Sequence, residues 1–154
     1  MANQIQEITP EQSISAGVPA NLAYAVANAG IPVVDGRTME LCNNEGYITY
    51  GVYHGRANAI IMCLQEIDNA ADYVETYTHE AVHLVQDCRA GLDNVQFDSG
   101  SPKYIGSLWQ QLASSVQDNI LGSYEQDQWN DEIEAFYFQD RPEVVAAGVQ
   151  KFCF

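Results

Sequence analysis

His79-Glu80-Ala81-Val82-His83, within the longer run His79-Glu80-Ala81-Val82-His83-Leu84-Val85-Gln86, is the stretch on which the fold turns. On an α-helix, residues four apart are offset by about 40° around the axis and roughly 6 Å along it, so His79 and His83 point the same way. Two neutral imidazoles so placed can grip one metal ion. Glu80 lies about 100° around from His79, too far aside to be an easy ligand, yet close enough to accept a proton from a water held at that ion. The chemistry needs a helix, and the flanks supply one. Residues 69–75 contain no proline or glycine, and Val74, Ala81, Val85 and Cys88 fall near a seven-residue spacing that makes one buried stripe, broadened by Val82 and Leu84. Asp68 or Asn69 can cap the start and Gly91 can end it, which predicts a helix of about 22 residues. The plainer alternative is a core helix whose two histidines are satisfied by neighbours. It leaves the adjacent Glu80 without a use.

Working outward toward the N-terminus, Thr9-Pro10-Glu11-Gln12 reads as a helix start, with Thr9 as cap and Gln12 three residues on, and Gly17 as its stop. Residues 19–29 repeat that grammar and close at Gly30 and Pro32. From Gly46 the texture changes. Tyr47, Ile48, Thr49, Tyr50, Val52 and Tyr53 are strand formers, His54-Gly55-Arg56 interrupts them, and residues 59–64 resume an apolar run. This predicts an antiparallel hairpin over residues 47–64, with Val33 and Val34 as a third strand. Toward the C-terminus, residues 92–101 read as a polar loop. Ser101-Pro102 begins a helix expected to reach about Leu121, with Ile105, Leu108, Trp109, Leu112 and Val116 on its apolar face. Ser123 with Gln126 predicts a capping box that opens a further helix, ending near Asp140 because Pro142 disfavours helical geometry before it. Residues 143–151 make a last short helix. The expectation is one α+β domain over residues 1–154, mainly helical, with a small antiparallel sheet ahead of the central helix.

Composition narrows the function. A hydrophobic fraction of 47% with 10% aromatics belongs to a folded chain. Six basic residues against 21 acidic ones give a formal charge of −15, which repels phosphate backbones and anionic lipid, so neither nucleic acid nor membrane is an expected partner. No apolar run approaches the roughly 20 residues of a membrane span. The start MANQIQEITPEQ has neither the basic end nor the apolar stretch of a signal peptide, which points to the cytoplasm, with leaderless export or virion association left open. Cys42, Cys63, Cys88 and Cys153 show no CxxC pairing, so four reduced thiols are the default, with room for one or two disulfides. Oligomeric state is not legible.

Two histidines make half a site, since catalytic zinc generally takes three protein ligands and leaves a fourth position to water. Among the residues that could complete it, Asp131, Glu132 and Glu134 lie on one predicted helix. Glu134 shares its face with Tyr137 and Phe138, whereas Glu132 keeps company with Gln128, Ala135 and Gln139. A buried carboxylate is expensive unless paired or bound to metal, so the expected ligand set is His79, His83 and Glu134 around Zn2+. Gln86 can orient a ligand or be a solvated helix residue; Asp87 reads as surface.

HEAVH followed some fifty residues later by a Glu-Ala pair resembles the gluzincin branch of the zincin metallopeptidases. The run ending in Gln86 is similar to the HExxHxxQ cores of small bacterial and phage zincin-like domains. The resemblance covers residues 58–138 in order, although the aspartate that often follows the ligand glutamate by four residues is Phe138 here. It implies a zinc-dependent peptidase acting on a peptide or protein substrate, with Glu80 as general base and an extended substrate along an edge strand at residues 58–64. It also implies a tyrosine or histidine donor to the oxyanion: Tyr137 is the first choice, with Tyr77, Tyr124 and His54 as alternatives. The rival is a non-catalytic zinc-bound structural or interaction protein, such as a virion or secretion-system component on the same scaffold.

Overall fold

The computed structural model describes residues 6–92 and 96–154; of the loop expected over 92–101, residues 93–95 lie outside these. The two first helices are α1 (Pro10–Ser15), with the Thr9/Gln12 capping box, and α2 (Ala20–Asn28). The histidine-bearing helix, α3, spans Ala70–Arg89, and the Asn69 side chain accepts from the Asp72 N–H at 2.8 Å. That bond satisfies one of the amides that a helix start leaves unpaired. Every side chain from Tyr77 to Cys88 is buried, so α3 has no solvent face there and serves as the central helix.

Four strands, β1 (Gln6–Ile8), β2 (Val33–Asp35), β3 (Gly51–His54) and β4 (Ala59–Met62), form one sheet in the order β1-β2-β4-β3. The expected hairpin is present, with Val52 opposite Ile61, but residues 47–50 carry no strand. The sheet is mixed rather than antiparallel, because the chain leaves β2, crosses to the far edge to make β3, and returns as β4 parallel to β2. Three-residue β1, antiparallel to β2, is too short to leave a periodic signature.

The C-terminal half contains α4 (Pro102–Gln111), α5 (Ser114–Ser123), α6 (Trp129–Phe138) and α7 (Pro142–Phe152). The single helix expected to reach Leu121 is thus broken at Leu112, whose backbone is extended (ψ 142°). A straight helix would spread Ile105 and Ile120 over about 22 Å. The break instead folds both, with Leu108, onto Ile133 of α6 in one cluster. The capping box before α6 is formed by Glu125 and Gln128, not by Ser123 and Gln126, and Ser123 ends α5. The main core joins Leu22, Val26, Ile60, Met62, Tyr77, Leu84 and Val149. All four cysteines are paired, Cys42 with Cys63 and Cys88 with Cys153, where free thiols were the default expectation.

Candidate metal centre

Helices α3 and α6 pack together so that Glu132 stands over both histidines. Its Oε1 lies 3.0 Å from His79 Nε2 and its Oε2 2.9 Å from His83 Nε2. All three residues are buried, and a ligand atom of each lies within 4.8 Å of the others. His79 meets Phe136 edge-on at 4.7 Å between centroids, and His83 stacks on Phe97 at 6.0 Å. The other nitrogen of each ring is also held: His79 Nδ1 lies 2.9 Å from Gln139 Oε1, and His83 Nδ1 2.8 Å from Gln86 Oε1. Each Nδ1 thus faces a glutamine amide, and Nε2 of both rings is presented to the common point.

Charge follows from this packing. Burial disfavours the imidazolium form of His83, but the Glu132 carboxylate beside it, with help from Glu80, pushes its pKa up to about 10. His79 is raised too, burial again opposing and Glu132 and Glu80 prevailing. Burial alone would raise Glu132, yet the facing imidazoles hold it well below the usual carboxylate range. Two imidazole nitrogens and a carboxylate are a donor set that a divalent ion fits, at ligand distances of about 2.0 to 2.2 Å for zinc. No other His, Cys, Asp or Glu joins this group among the described residues, so the set is an open one.

Glu80 is buried beside the pair, and its Oε1 accepts the Tyr53 N–H of β3 at 3.0 Å. Strand β3 lies almost on top of it: a Cβ on Gly51 would sit 2.7 Å from Thr76 Cγ2 and 3.3 Å from Glu80 Cγ. The phenol at the site is Tyr124. Burial, then the charges of Glu132 and Glu80, raise its pKa.

Several sequence expectations are corrected here. Glu134 does face inward, but away from the histidines, and its carboxylate is taken by Arg89 Nη1 (2.7 Å), Tyr104 OH (2.6 Å) and Gln86 Nε2 (3.1 Å). Helix α6 is covered on both sides, by α3 on one and by α4 and α5 on the other, so both of its glutamates are buried and polarity could not rank them. Tyr137 is away from the site, donating to Gln111 Oε1 at 3.1 Å and stacking under Arg141. His54 accepts from the Ala57 N–H at the hairpin turn, and Tyr77 is core. Asp87, read as surface, is fully buried and accepts the Tyr53 hydroxyl at 2.6 Å. Residues 58–64 do not offer an edge, because β4 is paired on both sides; the edge strand beside Glu80 is β3.

The chain belongs to the family described as Domain of unknown function (DUF8637), whose model matches residues 19–154. That span includes the three clustered residues, Glu80, Tyr124 and both disulfides. No curated protein and no solved structure matches the chain.

Proposed function

We propose that this chain is a zinc-dependent metallopeptidase of zincin-like type, with His79, His83 and Glu132 as the metal ligands. The observation that carries the reading is the placement of one carboxylate across two Nε2 atoms, with Glu80 adjacent on the same helix. An antiparallel edge strand beside that helix supports it further. Zinc, when bound, would acidify a water molecule and polarise the scissile carbonyl. Glu80 takes the proton of the attacking water and passes it to the leaving amine, while the Tyr53 N–H keeps the carboxylate in place. The Tyr124 hydroxyl, rather than Tyr137, is the donor for the developing oxyanion. An extended peptide can pair along β3, and the charge of −15 favours basic substrates. The two disulfides favour work in an oxidising setting over the cytoplasm.

One observation favours the non-catalytic rival: Glu80 also braces β3 through Tyr53, a use that needs no turnover. Protein purified without chelators should carry one zinc per chain and hydrolyse unstructured peptides. Glu80→Gln should keep the zinc and lower turnover by about a hundred- to ten-thousandfold. Zinc binding with no hydrolysis by the wild type would move the reading to the rival, and absence of zinc affinity would sink the metal centre.

A further inference from the structure

Glu134, Arg89 and Tyr104 have no part in the chemistry above, yet they form a partly buried charged cluster, centred on the buried Glu134, directly behind one of the proposed ligands. We propose that the Arg89–Glu134 ion pair fixes the direction of the Gln86 amide and, through it, locks His83 with its proton on Nδ1 and its Nε2 turned to the metal position. Gln86 and Glu134 are then positioning residues. Their use in function rests on His83 being a ligand, as proposed above, but the hydrogen-bond direction does not.

Glu134 is 1% exposed, and its two oxygens receive Arg89, Tyr104 and Gln86. A carboxylate in an ion pair only accepts, so Gln86 must turn its NH2 group that way. The second Gln86 N–H goes to the Asp131 carbonyl at 3.0 Å, another group that only accepts. Nitrogen is therefore fixed toward α6, and oxygen toward His83 Nδ1 at 2.8 Å. Gln86 is fully buried, so no bulk water relieves a flipped amide, which would set oxygen against two acceptors. His79 lacks this arrangement: Gln139 is half-buried at the end of α6 and donates to no other group among the described residues. Arg89 is itself steadied by the Asp98 carbonyl at 3.2 Å and by the Phe152 ring, 4.9 Å from its guanidinium carbon. The two histidines thus differ, with His83 bracketed and His79 merely capped.

The test is nitrogen-15 NMR of the imidazoles in the full chain, with and without added zinc, together with a zinc titration. The wild type should show His83 Nδ1–H as a slowly exchanging, hydrogen-bonded proton. Gln86→Leu removes the acceptor. Arg89→Met combined with Glu134→Leu removes both charges without stranding one. Gln86→Leu should lose the protected Nδ1–H signal, and the double variant, where only the Asp131 carbonyl still holds the amide, should show it broadened or divided; both should weaken zinc binding by about 10- to 100-fold, with Gln139→Leu having a smaller effect. If the double variant does not fold, Glu134→Gln replaces it: its amide can donate or accept, so Gln86 can flip and the Nδ1–H signal should broaden or divide. A folded variant of the pair that keeps the signal and a zinc Kd within about twofold of wild type overturns the lock. A wild type that binds no zinc defeats the metal centre instead, and the Nδ1–H comparison still decides the lock.

Discussion

Glu132 is the residue on which the cluster depends, since its two oxygens are the counter-charge of both imidazoles. Glu132→Ala should abolish tight zinc binding, whereas Glu134→Gln should only weaken it; equal loss in both, measured by titration against a competing chelator, would mean that α6 is misassigned. The same pairing sets a pH dependence. His83 is raised from 6.5 to about 10, so its contribution to stability is full below pH 6.5 and is lost as pH rises through about 10. Glu132 is lowered from 4.5, so its contribution is full above that value and is lost as pH falls through its folded pKa. Near pH 7 the metal must displace those protons, and zinc affinity should climb by about ten- to hundredfold per pH unit between pH 6 and 8. Calorimetry in buffers of differing ionisation enthalpy should find one to two protons released, on the order expected for two imidazoles. A pH-independent affinity would contradict the charged pair. His79, Glu80 and His83 were legible because local periodicity alone aligns them. The third ligand was not, because the polar company that made Glu132 look solvated is partly the site itself: Gln139 holds His79.

Strand β3 and helix α3 are held together at both ends of Tyr53. Its N–H goes to Glu80 and its hydroxyl to Asp87 Oδ2, while the buried Asp87 Oδ1 has no partner among the described residues. Tyr53→Phe would leave the whole Asp87 carboxylate unsatisfied and should lower stability by about 1 to 3 kcal/mol in denaturant unfolding. A neutral result would show that water already satisfies Asp87. Gly51 is required by closeness rather than by conformation, since any Cβ there meets Thr76 and Glu80. Gly51→Val should therefore cost about 1 to 3 kcal/mol and reduce turnover while zinc content stays near one per chain. Elements with strong caps or clear periods, such as α1, α2, α3 and α7, could be read from residue types alone. The Leu112 break and the parallel pairing of β2 with β4 could not, because each answers to a distant partner, Ile133 in one case and the crossover strand β3 in the other.

Across the whole molecule, two covalent ties hold segments that secondary structure secures poorly. Cys42–Cys63 pins the crossover between β2 and β3 to the end of β4, closing 21 residues of sequence. Cys88–Cys153 pins the end of α7 to α3, one residue before Arg89, closing 65. CxxC spacing is silent about such pairs, because both are made by folding and not by proximity in sequence. On the chain-entropy account the shorter tie is worth about 3 kcal/mol and the longer about 4 kcal/mol. These are large fractions of a domain's usual stability of about 5 to 15 kcal/mol, and the self-repulsion of a chain at −15 makes them more important. Reduction under native conditions should thus lower the melting temperature by about 14 to 28 °C, at about 2 to 4 °C per kcal/mol for a chain of this size. Cys88→Ala with Cys153→Ala should account for the larger share, and it should also weaken zinc binding by loosening Arg89 behind Gln86. Added salt should recover part of the lost stability by screening the acidic surface. The decisive control is a thiol count on unreduced, unfolded protein, which should find none. Four titratable thiols there, with a melting temperature that reductant leaves unchanged, would remove both ties and restore the reduced chain that the cysteine spacing first suggested.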